Sequence, residues 1–170
     1  MKIGILSDTH DHMDNIEQFV ERFNSEKVDA VFHCGDFVSP FVARKFKNLA
    51  KDIAFYAIRG NNDGDITHLN WTFKDIGPIK ENHQKIDLSG KKILMLHGHA
   101  IAEQEIQDIA KTGRYDIVMY GHYHHIRNEM IGNTLLVNPG EGCGYLTGKA
   151  TCMIVKTKDE RDYEVEVIEI

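Results

Sequence analysis

Cysteine, proline, basic charge and long apolar runs are all scarce in this chain, and each shortage closes off a class of protein. Cys34, Cys143 and Cys152 are an odd number without paired spacing. They supply neither a disulfide framework nor a cysteine-based zinc site, and read as small buried residues of a reducing compartment. Three prolines, no repeat and no low-complexity segment leave no candidate linker, so residues 1–170 read as a single α/β domain. No apolar run approaches the length that crosses a membrane. Met1-Lys2 leads straight into an apolar run, which leaves no room for a signal or transit peptide and makes a cytoplasmic location the expectation. Twenty Lys and Arg against 26 Asp and Glu give a formal net charge of -6, which argues against broad binding to nucleic acid. A phosphate-bearing substrate stays open, because bound cations can reverse the charge locally.

What the chain does have is an alternation of short apolar runs with amphipathic stretches. Ile3 to Leu6 reads as a strand buried on both faces. Ile16, Phe19, Val20 and Phe23 recur at helical spacing over about residues 14–27, with Asp14 as N-cap and Glu17 as its capping-box partner. Ala30 to Phe32 is a second strand, Val42, Phe46 and Leu49 suggest a helix opening near Ser39-Pro40, and Ile53 to Ile58 is a third strand. This order predicts a parallel sheet with right-handed crossovers. Residues 65–82 fit either a strand or a short helix, since Leu69, Trp71 and Phe73 alternate. Core packing is the expected fate of Trp71 and Phe73. Hairpins follow around Ser89-Gly90-Lys91-Lys92, Gly132-Asn133 and Lys158 to Asp162. Between them lie a helix at about 102–113, with Gly113 as its cap, and a strand from Ile117 to Tyr120. In the last strand the apolar phase slips by one after Val167, which predicts a bulge near its end.

Five of the apolar runs end in residues able to bind metal: Asp8/His10, Asp36, Asn61/Asn62, His97/His99 and His122/His124. Read alone, Asp8 and His10 could hold a metal, act as an acid/base pair or close a loop. In extended backbone their spacing points both side chains the same way. Five such endings are hard to attribute to chance, because ligand sites in α/β sheets lie at the carboxyl ends of strands. Imidazole, carboxylate and amide oxygen without thiolate suit Mn, Fe, Co, Ni or Zn. Seven donors, Asp8, His10, Asp36, Asn61, His97, His122 and His124, exceed one tetrahedral zinc and suit two ions sharing a bridge. Asp36 after Gly35 is the natural bridge.

Asp8-x-His10, Gly35-Asp36, Gly60-Asn61-Asn62-Asp63, His97-Gly98-His99 and Gly121-His122-x-His124 occur in the order found in the calcineurin-like metallophosphoesterases. The chain resembles the small microbial phosphodiesterases of that superfamily. The resemblance implies a four-layer α/β sandwich of two β-sheets flanked by helices. It implies one divalent ion held by Asp8, His10, Asp36 and His124, and a second held by Asp36, Asn61, His97 and His122. It implies hydrolysis of a phosphodiester by a metal-bridging hydroxide, with the ions roughly 3.5–4 Å apart. Many relatives carry His where this chain has Asn62, so leaving-group assistance falls to Asn62 as it stands or to the neighbouring His99. A small phosphodiester is therefore the expected partner, with no membrane partner and nucleic acid disfavoured. A homo-oligomer is compatible with the sequence. The competing reading is a non-catalytic scaffold of the same fold, like the retromer scaffold subunit, although a scaffold has no physical need for all seven donors. A nuclease would need a basic approach surface. The glycine-rich stretch from Asn138 to Gly144 reads as a tight loop, with lining of the phosphate pocket as the alternative. His12, His33, His68, His83 and His125 take no role.

Overall fold

A computed structural model describes residues 1–159 and 162–170. In chain order the elements begin β1 (Lys2–Leu6), α1 (Met13–Glu26), β2 (Ala30–His33), a 3-10 turn (Pro40–Val42), α2 (Ala43–Phe46), β3 (Ala54–Ile58), α3 (Ile66–Phe73) and β4 (Ile79–Lys80). They continue with β5 (His83–Leu88), β6 (Lys91–Leu96), α4 (Glu103–Lys111), β7 (Ile117–Met119), β8 (Ile126–Ile131), β9 (Thr134–Pro139), β10 (Thr151–Asp159) and β11 (Asp162–Glu169). Two mixed sheets result, ordered β11-β10-β1-β2-β3-β4 and β5-β6-β7-β9-β8. β1 to β4 are parallel as their helical crossovers require, while β10 pairs antiparallel with the free side of β1. In the second sheet β6, β7 and β9 are parallel and the hairpin partners β5 and β8 close the edges.

The sheets pack face to face, and the strands buried on both faces explain the near-continuous apolar runs. Ile3, Ile5, Phe32, Ile58, Ile93, Met95, Met119, Val137 and Met153 fill the space between the sheets. The opposite face of the first sheet packs on α1, α2 and α3 through Leu6, Phe19, Phe23, Phe46 and Phe73. The outer face of the second packs on α4 through Leu94, Leu96, Ile106, Val118 and Leu136. Helices, sheet, sheet and helix are the four layers expected.

Several local expectations give way to specific contacts. The N-cap of α1 is His12, whose Nδ1 accepts the Asn15 N–H at 3.3 Å; Asp14 lies inside the helix, and Glu17 pairs with Lys45 instead of closing a capping box. The expected helix through Val42 and Phe46 is shorter than its apolar spacing suggests. After one turn the bonds tighten to Asn48 N–H on Lys45 and Leu49 N–H on Phe46, three residues back. Residues 66–73 are helical, with the Asp65 carboxylate capping the His68 N–H at 3.0 Å. Phe73 joins the core, but Trp71 is 63% exposed, with the Lys74 ammonium 5.4 Å from its ring centroid.

The Ser89-Gly90 and Gly132-Asn133 hairpins close as two-residue turns. Part of the Lys158 to Asp162 turn lies outside the described residues. β11 has no bulge near its end: pairing with β10 is continuous from Thr151↔Glu169 to Thr157↔Tyr163, and the register shifts only beside the turn. The apolar phase slips because the two faces are covered at different points. Tyr163 and Val165 pack into the inter-sheet core, whereas Ile168 packs on the helix side.

Candidate metal centre

The parallel strands β1, β2, β3, β6 and β7 deliver all five donor loops to one edge of the sandwich. Close approach of the two sheets' loops requires glycine at two points. A Cβ on Gly121 would lie 1.9 Å from Ser7 Oγ and 2.7 Å from Asp8 Oδ2, and one on Gly60 would lie 2.0 Å from Asp36 Oδ1. The backbone there is strained. Among the described residues ten non-glycine residues have positive φ, and seven are in these loops: Asp8, His10, Asp11, Asp36, Val38, His122 and His124. Each such residue costs about 1–2 kcal/mol, an expense characteristic of sites that hold side chains for a purpose. Asp8 and His10 thus converge through a left-handed loop after Leu6, not through the strand alternation that their spacing suggested.

At the centre stands Asp8 Oδ1, fully buried and without a hydrogen-bond partner. His124 Nε2 lies 3.3 Å from it, and His10 Nε2 and His97 Nε2 lie 4.0 Å away. Asp8 Oδ2 accepts the His122 N–H at 3.0 Å. The second buried carboxylate, Asp36, places Oδ2 at 3.6 Å from His10 Nε2 and 3.4 Å from His97 Nε2. Asn62 grips it twice, its backbone N–H donating to Oδ1 at 2.8 Å and its side-chain amide to Oδ2 at 2.7 Å. Burial alone would raise the Asp36 carboxyl, but His97 and the Asn62 donors outweigh it and hold the group well below the usual carboxylate range.

The ring nitrogens are oriented for a cation. His97 Nδ1–H donates to the Cys34 carbonyl at 2.7 Å. In the neutral ring this turns the Nε2 lone pair toward Asn61 Oδ1 at 3.1 Å, and toward Asp36 and Asp8 beyond it. His124 repeats the design: Nδ1–H donates to Glu141 Oε2 at 2.7 Å while Nε2 faces Asp8. A lone pair confronting several acceptor oxygens is repulsive unless a proton or a metal ion lies between them. The proton's preference is visible at His124, whose imidazole is raised to about 9, first by the Asp8 carboxylate that its Nε2 faces at 3.3 Å, against burial, and then by Glu141. His97 is raised too, with Asp36 and Asp8 overcoming its burial. Among the described residues three groups have ligand atoms close enough to share an ion: Asp8/His10/His124, Asp8/Asp36/His97, and His124/Glu141/Cys143, whose members already bond one another through Glu141. The donor set therefore fits divalent metal, with Asp36 Oδ2 standing between His10 and His97.

The remaining expected residues form the rim. The His122 ring is 5.2 Å from that of His97 and faces the cavity. His99 is exposed, its ring 5.4 Å from that of His97, and burial together with His97 lowers its imidazole. Asn62 lines the cavity but spends its amide on Asp36.

Three residues without a role in the sequence reading support the donors. Asp63 is buried and accepts the N–H groups of Asp36, Val38 and Gly60 at 3.0, 2.8 and 2.7 Å, fixing the Asp36 loop against the Asn61 loop. His33 accepts the Gly35 N–H on Nδ1 at 3.2 Å and donates from Nε2 to Thr9 Oγ1 at 3.0 Å, tying the Asp36 loop to the Asp8 loop. Glu141 lies in the glycine-rich stretch and is a connector. Besides His124 it takes the Leu146 and Thr147 N–H groups, the Thr147 hydroxyl and the Cys143 thiol. Burial opposes its charge, but these donors hold it at about 2. A lone carboxylate among glycines was the one available sequence signal. His12 caps α1, and His125 bonds Glu103.

The calcineurin-like phosphoesterase superfamily domain matches residues 1–160. Phosphodiesterase MJ0936 of Methanocaldococcus jannaschii is 44% identical over 172 residues, covering 99% of this chain and 100% of that protein. A solved archaeal phosphodiesterase superposes with a TM-score of 0.87 at 42% identity, covering 99% of this chain and 100% of that one. Vps29 of Entamoeba histolytica, solved in complex with zinc, gives a TM-score of 0.68 over 99% of both chains. At 16% identity that likeness concerns the fold alone.

Proposed function

The chain belongs to the calcineurin-like phosphoesterase superfamily, and we propose that it is a phosphodiesterase working with two divalent metal ions. The observation that carries this is the buried, unpartnered Asp8 Oδ1 surrounded by three imidazole nitrogens, with Asp36 Oδ2 within 3.6 Å of two of them. Asp8, His10, Asp36 and His124 would hold one ion, and Asp36, Asn61, His97 and His122 the other, with Asp36 shared.

Two such ions supply, when bound, an acidified water as nucleophile and Lewis-acid charge for a phosphoryl oxygen. The protein's own residues do the rest. Asp8 and Asp36 bring two negative charges, fewer than two divalent ions carry, so the floor is left cationic and favours an anionic diester. Asn62 keeps the Asp36 carboxylate fixed by two donors, and Asp63 and His33 keep its loop from yielding. Glu141 sets the His124 tautomer, the usual task of an outer carboxylate on a ligating histidine. His99 stands beside His97 with its imidazole lowered toward the neutral form. Its protonated ring, the more acidic for that shift, is the donor we assign to a departing alkoxide, because Asn62 has no proton of useful acidity.

The test is hydrolysis of an aryl phosphodiester by protein loaded with manganese or nickel, with metal counted per chain. Two equivalents and turnover, both lost in Asp36→Ala, are expected. Wild type and Asp36→Ala that are equally inert would leave the scaffold reading, for which the Vps29 likeness speaks only through the fold.

A further inference from the structure

Beyond the metal centre, the same cavity has a second wall that hydrolysis by itself does not require. It measures about 380 Å³ and is lined by Asp36, Asn62, His122 and His124 on the donor side and by Tyr145 and Leu146 opposite. These two side chains are 63% and 76% exposed. Single exposed apolar residues need no explanation. Here two are consecutive, line the same cavity as the metal donors and belong to a loop whose backbone is tied down by hydrogen bonds.

The Glu141 carboxylate takes the N–H groups of Leu146 and Thr147. Gly148 N–H closes a turn on the Gly144 carbonyl at 3.2 Å, and the Asn15 amide binds the Gly142 and Cys143 carbonyls at 3.0 and 3.2 Å. Cys143 N–H in turn bonds the Asp8 carbonyl at 3.0 Å. The Tyr145 ring lies 5.6 Å between centroids from the His12 imidazole, tilted by 47° to it. Such ordering before a ligand arrives lowers the entropic cost of binding. Among the described residues the cavity lining holds no lysine or arginine, so a second phosphate would meet no cation there.

Resting on the phosphodiesterase reading, we propose that Tyr145 and Leu146 form a subsite for a flat, uncharged aromatic ester arm of the substrate, an aryl group or a nucleobase. One bound carboxylate then serves two parts of the reaction: Glu141 positions His124 on the metal side and presents the arm-binding loop on the other.

The experiment is calorimetric titration of the manganese-loaded full chain with phenyl phosphate, adenosine 5′-monophosphate and inorganic phosphate. In the variant carrying Tyr145→Ala and Leu146→Ala, the aromatic esters should bind roughly tenfold more weakly, as for loss of an aromatic stacking platform. Inorganic phosphate should keep its affinity within about twofold. A loss confined to phenyl phosphate assigns a simple aryl arm, and one confined to the nucleotide assigns a base. Unchanged affinity for both esters, or equal weakening of inorganic phosphate, overturns the proposal. So does a dimer that dissociates in the variant on sedimentation, since the patch would then be an interface between copies. Both side chains are exposed, so their removal does not threaten the fold. Failure of the enzymatic reading would appear separately, as wild-type protein that binds metal but hydrolyses no diester.

Discussion

The floor and the rim of the metal centre are built on opposite principles. On the floor, Asp8, Asp36 and His97 are buried, and their ligand atoms face one another at 3.4 to 4.0 Å. On the rim, His10, Asn61, Asn62, His99, His122 and Tyr145 reach solvent. Burying two carboxylates costs several kcal/mol each unless they are paired or coordinated; Asp36 has the Asn62 donors, whereas Asp8 Oδ1 has none and is left for a cation. The rim carries no such penalty and is free to select what approaches. The two are thus divided by depth: buried charge is concentrated below, and solvent-reaching side chains stand above.

The most severe way to break the contrast is to empty the floor. Asp36→Ala should lower kcat/KM at least about 1,000-fold, the scale of several kcal/mol of lost charge stabilisation, and should lose metal as measured by elemental analysis. Asp8→Ala should behave alike; complete loss of activity with both ions retained would contradict its place as a ligand. Next is the scaffold beneath. Asp63→Ala leaves three N–H groups, those of Asp36 and Gly60 buried, without an acceptor and should cost about 2 kcal/mol or more in urea unfolding of the metal-free protein. Glu141→Gln, which joins floor to rim, should weaken metal binding about 10- to 100-fold while the protein stays folded; unchanged metal affinity would reduce Glu141 to a loop anchor.

Rim substitutions should do less and do it selectively. His99→Ala should slow an alkyl diester about tenfold and an aryl diester no more than about threefold, because only the poorer leaving group needs a proton. Equal losses on both would remove His99 from leaving-group assistance. The smallest effect is expected at Cys143. Its thiol lines the cavity and is pushed up, by burial first and then by Glu141, to about 12. At pH 8 it is protonated, so native protein should resist alkylation there, and Cys143→Ala should keep its full metal content.

The sequence was most legible where information is local. Strand and helix positions followed from apolar spacing, because burial at a period of two or 3.6 is a property of a single segment. Val42 and Phe46 misjudged a helix's length, since the same spacing is satisfied by a 3-10 turn followed by one α-helical turn. Ile168 misplaced a bulge, since covering of the second face of β11 depends on α1, far away in sequence. Trp71 was expected inside and lies outside, because only the packing of α3 decides which of its residues turn inward. Asp63 and His33 were passed over because their partners are backbone groups and a hydroxyl, which leave no residue-type pattern.

What the sequence determined by itself is the chemistry on offer: seven oxygen and nitrogen donors, each placed at the end of an apolar run, in an order that one superfamily shares. Residue identity and local period are written in the chain directly. Only the tertiary structure decided how those donors meet. Two separate sheets had to bring their carboxyl ends to one edge, and left-handed loops had to turn Asp8, Asp36, His122 and His124 inward. Asn62 had to be committed to Asp36. Each depends on contacts between segments dozens of residues apart, and no local pattern of one segment specifies them.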